Sequence, residues 1–122
     1  MKMLERQIGN VTILDLSGTL TFYEDADRLK DKINSLIVQE RTSVILNLAN
    51  VSYIDSGGLG QMVSCYNSLS KTAGGLKLLH VSKRNQDLLS ITRLVIIFHT
   101  FDSEDEAVNS FQETRTDATL AH

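Results

Sequence analysis

The residues with the most chemical potential lie together near the middle of the chain, where Tyr53, Ile54, Asp55, Ser56, Gly57, Gly58, Leu59 and Gly60 are consecutive. Upstream, Val44 to Leu48 is a short apolar run bounded by Ser43 and Asn50, the pattern of a buried central strand. Downstream, Leu59, Met62, Val63, Tyr66 and Leu69 recur at the spacing of an amphipathic helix. Ser56 therefore falls where a strand gives way to a helix. Serine is favoured there as an N-cap because its oxygen accepts from a backbone N–H two or three positions on, and the glycines behind it permit close backbone approach. The same position leaves a hydroxyl near the surface, at the carboxyl end of a strand, where open α/β sheets carry their binding chemistry. A phosphate on Ser56 would add about −1.5 to −2 charges beside the positive end of the helix dipole, which the fold tolerates and a docked partner does not. The plainer alternative is that Asp55 and Ser56 only cap the helix.

Other chemistries lack their parts. The chain has no Walker A loop, no HExxH and no GxSxG elbow, and its lone Cys65 leaves no cysteine pair. Gly57 to Gly60 lacks the lysine and spacing of a phosphate loop. His80 and His99 fall at strand ends and His122 at the terminus, which makes no ligand set. A hydrolase with His80 as base to Ser56 stays open on paper, without an evident third triad member. Cys65 sits among core positions of the second helix and reads as a small packed side chain. The expectation is a binding protein rather than an enzyme, holding no cofactor and no metal.

A chain of 122 residues that is 42% hydrophobic suits one domain with a real core. Its formal net charge of −3 argues against a nucleic-acid or anionic-membrane surface. No run approaches the roughly 20 apolar residues of a membrane-spanning helix. A single cysteine and a start without an apolar signal segment point to the cytoplasm.

The elements that position Ser56 follow from periodicity. Met3 to Ile8 and Val11 to Leu16 flank Gly9 and Asn10 as a β-hairpin. A helix is expected from near Glu24, with Ala26, Leu29, Ile33, Leu36 and Ile37 inward and its charged face in water. The second helix should fade near Ala73, ended by Gly74 and Gly75. Leu76 to Val81 reads as a parallel strand, Gln86 to Leu94 as a shorter helix and Val95 to Phe98 as a further strand. Ser103 with Glu106 matches a capping box opening a last helix whose buried stripe is Ala107, Val108 and Phe111. From Glu113 the apolar period is lost, so residues 1–112 are expected to form the domain and 113–122 a disordered tail. The fold class is α/β, a mostly parallel central sheet with an N-terminal β-hairpin and about four helices.

The segment Leu48 to Gly60 resembles the signature of the STAS domain family, whose best-known members are anti-sigma factor antagonists. Leu16, Ser17 and Gly18 before the first helix and Gly74, Gly75, Leu76, Lys77 and Leu78 after the second extend the resemblance from about Met3 to Phe111. It implies that Ser56 is phosphorylated by an anti-sigma factor that is itself a serine kinase, and that Asp55, Ser56, Gly57, Gly58 and Thr21 meet that partner. The unmodified protein would hold the kinase and free a sigma factor, and a metal-dependent phosphatase would restore it after phosphorylation. Two residues depart from the family's usual pattern: Gly57 stands where Ser, Thr or Ala is common, and Thr21 where an acidic residue is common. The family also includes accessory subunits of lipid transporters and stressosome scaffolds. That leaves a constitutive interaction module, with Ser56 only a helix N-cap, as the alternative.

Overall fold

The computed structural model describes the backbone of residues 1–21 and 27–120 and the side chains of these residues as far as Gln112. In chain order the strands are β1 (Lys2–Ile8), β2 (Val11–Leu20), β3 (Ser43–Ile54), β4 (Gly75–Leu79) and β5 (Thr100–Phe101). The helices are α1 (Arg28–Val38), α2 (Ser56–Ser70), α3 (Lys83–Ile91) and α4 (Glu104–Leu120). The expected helix start near Glu24, with Ala26, lies outside the described residues. The sheet order is β1-β2-β3-β4-β5. β1 pairs antiparallel with β2, and every later pairing is parallel.

Gly9 takes φ +58 in the hairpin turn, with Ile8 paired to Val11. A positive φ at Gly9 without one at Asn10 is the type II′ pattern that matches strand twist. Side chains alternate across the strands as the period of two requires. Leu14, Leu16, Val44, Leu46 and Leu48 face α1 and α2 in the main core with Leu29, Ile33, Met62 and Leu69. Val11, Ile13 and Ile45 face the other way, against Ala107, Val108 and Phe111 of α4. The sheet is thus covered on both faces.

β3 outlasts its neighbour. Its pairing with β4 runs only from Ser43–Gly75 to Asn47–Leu79, whereas its pairing with β2 continues to Ile54 opposite Leu20. The far half of β3 therefore has an open edge on the β4 side, and the buried Asn85 of α3 donates through Nδ2 to the Val51 carbonyl at 3.3 Å there. A buried backbone acceptor without a partner is costly, so this bond ties α3 to the end of the strand.

Several boundaries differ from the sequence reading for identifiable reasons. The run Val95 to Phe98 is not a strand: Leu94–Ile96 is a 3-10 turn, and β5 is Thr100–Phe101. Arg93 adopts φ +63 and reverses the chain, and of this apolar run Phe98 is buried whereas Val95 and Ile96 stay exposed. α3 starts earlier than Gln86 because Ser82 is its N-cap, accepting from Asn85 N–H at 3.2 Å. α2 ends at Ser70, before Gly74. The glycine serves a close approach instead, since a Cβ there would stand 2.0 Å from the Thr42 carbonyl oxygen. Ser103 caps α4 through Glu106 N–H at 3.3 Å. Helical backbone continues past Glu113 to Leu120, in a stretch that contains neither glycine nor proline to stop it.

Candidate functional site

β3 delivers its carboxyl end into α2 without an intervening loop, and local bonds fix the junction. Asp55 N–H donates to the Leu20 carbonyl at 3.2 Å, holding the junction against the end of β2. The Asp55 backbone is extended, and its Oδ1 accepts from Gly58 N–H at 2.8 Å. Asp55 is therefore the N-cap, and Ser56 is the first residue of the helix rather than its cap. An aspartate serves better there because its full negative charge also meets the positive end of the dipole. Among the described residues the Ser56 hydroxyl makes no hydrogen bond, and the side chain is exposed.

Gly58 is buried. A Cβ at this position would lie 2.1 Å from the Leu20 carbonyl oxygen and 2.8 Å from its carbon, so only glycine lets α2 start this close to β2. Of the residues expected to meet a partner, Ser56 is exposed, Asp55, Gly57 and Thr21 are half-buried, and Gly58 is enclosed. Thr21 directly follows Leu20, which pairs with Ile54, so it stands at the same end of the sheet as Asp55. The junction brings these five residues together, and only the serine is freely presented.

Ser56 stands at the edge of a groove of about 590 Å3 between the start of α2 and α3, with Tyr53, Asp55, Lys83, Arg84 and Ile91 among its lining. The Arg84 guanidinium lies over the Tyr53 ring at 5.3 Å from its centroid, within cation–π range. Neither Lys83 nor Arg84 makes an ion pair among the described residues. Tyr53 is 43% exposed and Ile91 81%. Ser82, Lys83 and Arg84 directly follow the Leu76 to Val81 run, and the sequence analysis gave them no part in the site. The signal available was the Ser82-to-Asn85 spacing of an N-cap, which starts a helix at that point and turns its first residues toward the loop.

Other candidate chemistries are not assembled here. His80 is exposed at the end of β4 with φ +56 and does not line the groove that holds Ser56. Burial pushes the Cys65 thiol up to about 12, which keeps it protonated and unreactive at neutral pH. Among the described residues no cluster of three His, Cys, Asp or Glu side chains could hold a metal ion, and no helix is long and apolar enough to cross a membrane. A larger cavity of about 910 Å3 lies at the opposite end of the sheet, around Gly9, Thr42 and Gly75.

The architecture is that of an α/β domain with a mostly parallel sheet, helices on both faces and an exposed serine at the β3–α2 junction. The STAS domain profile matches residues 2–107, and the chain belongs to the STAS domain family. It is 45% identical to an anti-sigma-B factor antagonist of Staphylococcus epidermidis over 62 residues, which span 50% of this chain and 57% of that relative. It is 33% identical to the anti-sigma-B factor antagonist of Bacillus subtilis over 89 residues, 73% of this chain and 80% of the relative. The crystal structure of TM1081 from Thermotoga maritima superposes with a TM-score of 0.83 at 25% identity, covering 90% of this chain and 94% of that one. A sulfate transporter family protein of Wolinella succinogenes superposes with a TM-score of 0.75 at 26% identity, covering 86% and 87%.

Proposed function

We propose that the protein is an anti-sigma factor antagonist whose binding to an anti-sigma factor kinase is switched by phosphorylation of Ser56. The observation that carries this reading is the exposed Ser56 hydroxyl, free of hydrogen bonds among the described residues, on a junction fixed by the Asp55 cap and the packing of Gly58. The anti-sigma-B factor antagonists among its relatives support the same role. In the unmodified state the surface around Ser56, Gly57 and Thr21 docks on the kinase in the cytoplasm and so releases a sigma factor. The kinase then transfers the γ-phosphoryl group of ATP. An Oγ–P bond forms, the bond to the ADP oxygen breaks, and the hydroxyl proton passes to a base of the kinase. A metal-dependent phosphatase reverses the step with water, returning the hydroxyl and inorganic phosphate.

The chain's part in this chemistry is presentation and tolerance. The phosphate lands at the first residue of α2, where free N–H groups and the helix dipole stabilise a dianion, so the domain stays folded. On the partner's side the new charge must be desolvated in the interface beside Asp55, which breaks the complex. The test is binding of the purified cognate kinase to variants at this position. Ser56→Ala keeps the affinity of the unmodified protein, and Ser56→Asp weakens it at least ~100-fold, about 2.7 kcal/mol. Wild-type affinity in Ser56→Asp would refute the switch.

A second reading is favoured by the likeness to the sulfate transporter family protein. It makes the chain a constitutive interaction module in which Ser56 carries no phosphate and helix capping rests on Asp55 alone. Binding of its partner would then be indifferent to both Ser56 substitutions.

A further inference from the structure

Two helices begin at the groove beside Ser56. Ser56 is the first residue of α2, Lys83 is the first residue of α3, and both line the same concavity. The α3 side of the groove runs along that helix from Lys83 to Ile91. Arg84 adds a guanidinium whose cation–π contact among the described residues is with the Tyr53 ring, 5.3 Å from its centroid. Asp55 and Asp87 also line the groove, yet the Asp55 Oδ1 is engaged by Gly58 N–H, and Asp87 makes no ion pair with Lys83 or Arg84 among the described residues. The groove thus holds a modifiable hydroxyl at its edge and two cations not neutralised by any partner among the described residues.

We propose that Lys83 and Arg84 form a receiving site for the phosphoryl group of phosphorylated Ser56, so that modification clasps the start of α2 to the start of α3. This rests on the reading of Ser56 as a phosphorylation site. Guanidinium pairs with phosphate oxygens through parallel N–H donors and lysine adds a point charge, which together suit a phosphomonoester dianion. Moving onto the phosphate draws Arg84 off the Tyr53 ring. Phosphorylation then alters the docking surface twice, by adding charge at Ser56 and by rearranging the groove floor between Tyr53 and Ile91. The clasp also shields the phosphoester, so it slows removal by a phosphatase.

The test uses full-length protein carrying phosphoserine at position 56, introduced during translation so that no kinase is needed. Phosphorus NMR follows the second ionisation of the phosphate, which lies near pH 6 for free phosphoserine. Among the described residues, Asp55, Asp87, Lys83 and Arg84 are the charged side chains that line the groove beside it. The clasp predicts a midpoint below that of free phosphoserine that rises by about half a pH unit or more in Lys83→Gln/Arg84→Gln. Lys71→Gln, at the far end of α2, removes the same kind of charge and leaves the midpoint in place. The single variants replace the double one if it does not keep the wild-type amide spectrum. An unchanged midpoint in the Lys83 and Arg84 variants overturns the clasp without touching the kinase reading, which stands or falls on the binding test above.

Discussion

Two polar clusters on this sheet are finished in opposite ways. On the face covered by α4, Arg6 donates to Asp15 at 2.6 and 3.0 Å and to Glu104 at 2.6 Å, while Asn47 Nδ2 reaches Asp15 at 2.8 Å. Each charge there meets an opposite one. At the end of β3, Ser56, Lys83 and Arg84 lie in or beside one groove with no hydrogen bond or ion pair among the described residues. The first cluster joins β1, β2, β3 and α4 and has satisfied its own bonding capacity. The second has bonding capacity left over at the starts of α2 and α3. That difference separates polar groups that hold the fold from polar groups that the fold leaves unpaired among the described residues.

The comparison breaks first at Gly58. Gly58→Ala forces a Cβ against the Leu20 carbonyl and is expected to cost ~3 kcal/mol or more, seen as a large drop in thermal midpoint. A small loss would mean that the junction is not rigid. Next in size is the loss of kinase binding in Ser56→Asp, about 2.7 kcal/mol with the fold intact. Asp55→Ala removes the cap and should lower stability by about 1 kcal/mol, whereas Ser56→Ala stays within ~0.5 kcal/mol. Denaturant titration of the two variants side by side separates the cap from the presented hydroxyl.

The smallest effect belongs to the paired cluster. The Arg6 hydrogen bond holds the Asp15 carboxyl below its ordinary range, with the Asn47 bond adding to it against the opposing effect of burial. A depressed folded-state pKa contributes stability above the unfolded value and loses it as pH falls through the folded one. Asp15→Asn therefore flattens the acid side of the stability curve below about pH 4 and costs under ~1 kcal/mol at neutral pH, as suits a partly exposed pair. Melting temperatures between pH 2 and 7 measure it.

Much of this was legible in the sequence. The hairpin strands around Gly9 and Asn10, the continuous apolar run Val44 to Leu48, the helical stripe of Leu59, Met62 and Leu69, and the Ser103 capping box gave the α/β class and located Ser56 at a strand-to-helix junction. The division of labour between Asp55 and Ser56 was not legible, because either side chain makes a good N-cap and only the backbone shows which one lies outside the helix. Val95 and Ile96 imitated a strand because apolar β-branched residues carry that propensity, and the positive φ of Arg93 is invisible in composition. The contribution of Lys83 and Arg84 depends on α3 folding back beside the end of β3 through the bond from Asn85 to Val51, a tertiary contact between residues 34 apart in sequence.

The central claim is that Ser56 is a modified residue and not just an exposed one. Protein taken from its native cells with phosphatases inhibited, weighed intact and mapped by peptide mass spectrometry, tests this directly. The account predicts a phosphoryl group on the peptide that spans Ser56, at an occupancy that changes with growth and stress conditions. An unmodified Ser56 under every condition sampled would contradict it and leave the chain as a constitutive STAS module capped by Asp55.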